Sequence, residues 1–108
     1  MPDFIELLRK IWDFIKKIFL KVVNWTKNIV GFFMDQQRLK KLQEEKNTIA
    51  IVIKEKLENG QYNLVKCLYN KEIDDVVYKE TDAEGIEAES LDEETKQKFG
   101  DKDMLIIE

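Results

Sequence analysis

The apolar residues of the first third of the chain recur at helical spacing. At about 100° per residue, Phe4, Leu8, Ile11, Ile15, Ile18, Val22, Ile29 and Phe33 fall along one line. Ile5, Trp12, Phe19, Val23 and Val30 flank it on one side, and Leu7, Phe14, Trp25 and Phe32 on the other. The opposite side carries Asp3, Glu6, Arg9, Lys10, Asp13, Lys16, Lys17, Lys21, Asn24, Lys27 and Asn28. The pattern predicts a long amphipathic helix over residues 1–34. Pro2 and Asp3 suit its start, as a first-turn proline and a capping carboxylate. The apolar arc covers about half the cylinder, wider than the seam of a two-stranded coiled coil.

The next stretch, "DQQRLKKLQEEKN" (35–47), has only Leu39 and Leu42 as apolar residues. It reads as a polar helical connector capped by Asp35, with a bend between Gly31 and Asp35. From Thr48 the period becomes two. "TIAIVIKEKLENGQYNLVKCLYN" is a pair of strands around Asn59-Gly60, a strong hairpin signal. A two-residue type I′ turn there requires positive φ at both residues, and pairs the Ile49, Ile51 and Ile53 row with Leu64 and Leu68. "IDDVVYKE" reads as a third strand and "TDAEGIEAES" as an irregular or edge segment. "SLDEETKQKFG" reads as a short helix with a capping box from Ser90 to Glu93 and a stop at Gly100. "DMLIIE" closes the chain as a strand. The expected class is α+β: a long N-terminal amphipathic helix, then a small antiparallel β-meander with one short helix before the last strand, the α+β module spanning 48–108.

Charge is uneven along this plan. Residues 1–35 carry +2, 36–77 carry +1, and 78–108 carry −7, which sum to the net −4. A weakly basic head and an acidic tail argue against nucleic-acid binding. Aromatic and basic side chains on opposite faces of the helix also fail to make a base-stacking platform. No run of about 18 apolar residues is present for a membrane-spanning helix. Charges from Arg9 to Lys21 break any signal-peptide core, so the expected location is the cytoplasm or the cytoplasmic face of a membrane.

The residues for common chemistry are sparse. The chain has no histidine, one cysteine and four separated glycines. That leaves no imidazole base, no nucleophile triad and no glycine-rich phosphate loop. A calcium loop counted from Asp82 to Glu93 places Ile86 and Glu87 where an oxygen ligand and a glycine are needed, so the acidic run reads as a solvated face. Asp74-Asp75 reads as a strand start and Cys67 as a small buried hydrophobe. The expectation is a non-enzyme without cofactor, metal or small-molecule substrate.

What remains is the stripe. A 30-residue helix is ~45 Å long, whereas strands of five to seven residues reach ~17–24 Å. The module covers half of the stripe at best, and folding back accounts for residues 4–18 or so. The expected association face is Phe4, Leu8, Ile11, Trp12, Ile15, Ile18, Phe19, Val22, Trp25, Ile29 and Phe33. Its partners are a membrane surface and other copies of the chain, with Arg9, Lys10, Lys16, Lys17, Lys21 and Lys27 contacting anionic lipid. The alternative is a soluble bundle, ring or tube built by the helices without membrane.

Overall fold

The computed structural model describes residues 3–107; Pro2 lies outside them. The chain runs α1 (Phe4–Ile11), β1 (Lys16–Val23), a π-helical turn (Trp25–Val30) continuing into α2 (Gly31–Phe33), α3 (Gln36–Glu44), β2 (Thr48–Lys56), β3 (Tyr62–Asn70), β4 (Asp75–Val77), β5 (Glu84–Leu91), α4 (Glu93–Phe99) and β6 (Met104–Ile107). The class is α+β, but the sheet is six-stranded and mixed, in the order β1-β5-β3-β2-β6, and not the expected antiparallel meander: β1 pairs in parallel with β5, and β6 returns to the far side of β2. Short β4 pairs with the end of β3 that β5 leaves free.

The long helix over 1–34 does not form. Asp3 caps α1 through Glu6 N–H at 3.2 Å, and after Ile11 the chain tightens into a 3-10 turn (Trp12–Phe14) and becomes extended at Ile15. The reason is twofold. Residues 15–23 contain the β-branched Ile15, Ile18, Val22 and Val23 together with Phe19, which favour a pleated backbone over a helix. Their apolar positions also satisfy both periods, so tertiary pairing decides. That pairing is a parallel ladder from Lys16↔Glu84 to Val23↔Leu91. The first third therefore contributes a strand to the same sheet as residues 48–108. Beyond it, Asn24 caps the π-helical turn by accepting from Lys27 N–H at 2.8 Å, and helical spacing returns, burying Trp25, Ile29 and Phe33.

The sheet is covered on both faces. One face packs Val23, Ala50, Val52, Leu64, Leu68, Ile86 and Ala88 against Trp25, Ile29, Phe33 and Phe99. The other packs Ile51, Ile53, Val65 and Cys67 against Leu7, Leu8, Ile11 and Ile15. The 3-10 turn after α1 lies close at Gly85, where an added Cβ would stand 2.9 Å from the Trp12 ring. α3 is the polar helix expected after the bend, with the Asp35 carboxylate accepting from Gln37 N–H at 3.1 Å and Arg38 N–H at 3.3 Å.

Three further expectations need correction. β5 is an interior strand, not an irregular or edge segment, because Gly85, Ile86, Ala88 and Leu91 are buried while Glu87 and Glu89 point out. The cap of α4 is Asp92, whose carboxylate accepts from Thr95 N–H at 2.8 Å; Ser90 belongs to β5. Gly100, at φ 56°, does end α4.

The hairpin is real but its turn differs. Gly60 has φ 86°, whereas Asn59 is not among the residues of positive φ. Gly60 N–H donates to Leu57 C=O at 3.0 Å, and Leu57 N–H to Gln61 C=O at 2.8 Å. This is a three-residue loop: a type I turn followed by a left-handed glycine bulge. The extra residue shifts the register by one and exchanges the rows. Ile51 and Ile53 face Cys67 and Val65, while Leu68 faces Ala50 and Lys66 faces Val52.

The two turn types respond differently to valine. Gly60→Val should destabilise by roughly 1 kcal/mol or more, because a β-branched residue resists positive φ. Asn59→Val should cost distinctly less in the same urea titration. Equal costs at the two positions would favour the two-residue turn.

Candidate functional site

Strand β1 forms one edge of the sheet. Among the described residues, its backbone bonds to β5, to Asp92 N–H through Val23 C=O at 2.9 Å, and to the Ser90 hydroxyl through Lys21 C=O at 3.3 Å. A strand paired on one side presents alternate N–H and C=O groups to the other, where a further strand can add. The side chains divide by face. Ile18 and Leu20 are half-buried against the helix-covered core beside Ile86 and Ala88. Phe19, opposite Glu87, points to the α1 face and is 62% exposed. Phe14, 75% exposed, stands just before the strand, and Val22 is 46% exposed near its end. Lys16, Lys17 and Lys21 are exposed along it. Lys17 bends back so that Nζ donates to Trp12 C=O at 2.9 Å and Ile15 C=O at 3.2 Å.

The expected association face is thereby redistributed. Leu8, Ile11, Ile15, Trp25, Ile29 and Phe33 are buried in the chain's own core, and Phe4, Trp12 and Ile18 are half-buried. Phe19 and Val22 stay exposed. Of the six basic residues expected at lipid, Arg9 and Lys10 sit on α1, Lys16, Lys17 and Lys21 on β1, and Lys27 on the π-helical turn. All six are exposed, on three elements instead of one helix face.

The acidic segment holds a cluster that a solvated face would not. Asp82, 3% exposed, takes Lys41 as an ion-pair partner and lies 3.1 Å from Arg38 Nε. Arg38 also donates to Phe32 C=O at 3.1 Å and Thr81 C=O at 2.9 Å, its guanidinium 3.8 Å from the Phe32 ring centroid. Lys66, 2% exposed, donates to Glu84 at 2.6 Å and to Asn28 C=O at 2.9 Å, with Nζ 4.4 Å from the same ring. Burial pushes the Lys66 pKa below its ordinary value, against the pull of Glu84. One signal for this cluster was readable: Lys66 lies midway between Leu64 and Leu68 on an inward row. The cluster fastens α3 and the π-helical turn to β3 and the start of β5, and every cation in it is already engaged.

The other chemical candidates are placed as structural groups. Cys67 is buried and its thiol pKa is raised by desolvation, which suppresses the reactive thiolate. Asp74 accepts from the Tyr69 hydroxyl at 2.8 Å. Asp92 accepts from Trp25 N–H, Thr95 N–H and the Thr95 hydroxyl. Burial would raise its pKa, and those bonds outweigh burial and lower it. Among the described residues, no group of three or more His, Cys, Asp or Glu is placed to hold a metal ion, and no helix is long and apolar enough to cross a membrane.

No protein-family model matches the chain, and no curated protein or solved structure matches it at a significant level.

Removing Asp82 leaves two cations facing one another at a partly buried site. Asp82→Ala should cost about 3 kcal/mol by chemical denaturation, the scale for breaking a buried pair. Arg9→Ala, which loses an exposed bond to Glu55 at 2.9 Å, should melt near the wild type.

Burial and the Asp74 bond push the Tyr69 pKa up to about 12 from an ordinary 10. The neutral phenol is thus favoured in the folded state. Its stabilisation is complete below pH 10 and is lost as pH rises from 10 to 12. Tyr69→Phe should reduce the fall in stability across that window, measured by urea titrations at each pH. An unchanged slope would remove Tyr69 as its source.

Proposed function

We propose that this chain is a non-enzymatic interaction protein that associates, other copies of itself included, through the open edge of β1. The observation that carries the reading is an eight-residue edge strand on which Phe19 and Val22 stay exposed. Long apolar edges template strand addition, and proteins that do not use them normally cover or break them. Backbone groups on such an edge supply affinity, and alternate side chains supply selectivity. The lysines of β1 set that selectivity, since like charges directly opposite across a ladder repel.

A second reading is contact with an anionic membrane surface. Phe14 and Phe19 stand exposed beside Lys16 and Lys21, a combination that suits the headgroup boundary. This form of the reading uses the turn and strand around residues 14–22 in place of a continuous helix.

Sedimentation velocity in lipid-free buffer, paired with flotation on phosphatidylserine-containing vesicles, separates the two. Under the first reading, the wild type sediments as more than one chain without lipid, and Phe19→Lys returns it to a single chain. Under the second, the wild type is a single chain that floats with vesicles. Changing Lys16, Lys17 and Lys21 to Gln then weakens vesicle binding by roughly 1 kcal/mol per lysine. A wild type that neither self-associates nor floats overturns both.

A further inference from the structure

The sheet has two open edges, and they match each other. We infer that the partner of β1 is the β6 edge of a second copy, added antiparallel, so that the chains join head to tail into one continuous sheet. This deepens the proposed function and rests on it.

Topology sets the direction. β5 runs parallel to β1, and each step from β5 through β3 and β2 to β6 is antiparallel. After three reversals, β6 runs opposite to β1. A second copy placed beside the first in the same orientation therefore brings its β6 antiparallel to β1, the geometry of the commoner and slightly stronger ladder.

The side chains set the register. Leu105 and Ile107 pair with Val52 and Ala50, and so lie on the helix-covered face, as Ile18 and Leu20 do. Ile106 pairs with Ile51 and lies on the α1 face, as Phe19 does. A single register satisfies all of them. With Phe19 opposite Ile106, Leu20 meets Leu105 and Ile18 meets Ile107. Phe19 and Ile106 are 62% and 53% exposed in the single chain, and this pairing covers each with the other. The other four are half-buried and complete their burial in the joint.

Charge favours the same choice. Residues 14–23 hold three lysines and no acid, while residues 101–108 hold Asp101, Asp103 and Glu108 against Lys102. The obvious competitor is β1 against β1 of a second copy about a two-fold axis through Phe19. That pairing sets Lys17 directly opposite Lys21 on one face, twice, and like charges so placed are destabilising. A joint between two different edges is heterologous. It leaves one β1 and one β6 free at the ends, so growth continues as a ring or a twisted fibre instead of stopping at a dimer.

Two blocked variants test this by complementation. Phe19→Lys disables β1 and Ile106→Lys disables β6, both at exposed positions where the single chain tolerates a charge. Sedimentation velocity and negative-stain microscopy should show concentration-dependent species beyond two chains for the wild type. Each variant alone should sediment as one chain. An equimolar mixture should form dimers and nothing larger, because one good β1 then meets one good β6. If Phe19→Lys is a single chain while Ile106→Lys keeps the wild-type distribution, the edge of β1 is used but β6 is not its partner, and the inference falls with the proposed function intact. If neither variant changes the distribution, or the wild type is a single chain throughout, the inference and the reading beneath it fall together.

Discussion

The parallel ladder between β1 and β5 is the constraint on which the rest depends. It converts a stretch with helical spacing into a strand, and thereby decides which of its apolar side chains are buried. Once residues 16–23 are extended, α1 has to end before them, and it lies across the sheet over Ile51, Ile53 and Val65. The chain after Val23 has to turn back over the opposite face, which the Asn24 cap and the π-helical turn accomplish. The same ladder makes β5 an interior strand and β1 the new edge. Core, connector and candidate surface all follow from that one pairing.

Polar groups then hold the parts in place. Lys66 and Asp82 are buried charges, and charges are costly to desolvate unless paired and hydrogen-bonded. Here each has oxygen or nitrogen partners within bonding distance, and the Phe32 ring contacts both the Arg38 and the Lys66 cation. The carboxylate of Asp92 does a comparable job at the other end of the sheet, tying the start of the π-helical turn to the start of α4. These contacts add directionality that an apolar core lacks, since they are satisfied in only one arrangement of the helices on the sheet.

Much of the C-terminal two-thirds was legible in the pattern of residues. The β2–β3 pair, the Asp35 cap, α4 with its Gly100 stop and the terminal strand are all local features with short-range signals. What was not legible is non-local. Ile15 to Val23 fit a helix face and a pleated face equally well, and their choice is made by a partner far along the chain. β5 hides behind its glutamates, although Ile86, Ala88 and Leu91 mark its inward side. The hairpin register turned on one loop residue, and Asn-Gly accommodates a type I turn with a bulge as readily as a type I′ turn. The buried charge cluster was invisible as a cluster because a carboxylate in a charge run looks alike whether solvated or paired. The edge itself is a property of backbone exposure, which no side-chain motif announces. Of the anticipated association face, Phe19 and Val22 are exposed because they project outward from that edge strand, whereas six of their former neighbours went to the core.

The ladder also has a history in time. Lys16 and Glu84 are partners across a gap of 68 residues. At synthesis rates of about 5–20 residues per second, β1 is made roughly 3–14 s before its partner strand. Loop closure over such a span is slow compared with formation of the β2–β3 hairpin, whose ends are adjacent. The nascent chain therefore carries an unpaired, aromatic and basic segment for most of its elongation, with α1 lacking the sheet it packs on. During that interval the residues that the finished fold keeps at its edge have no native partner of their own.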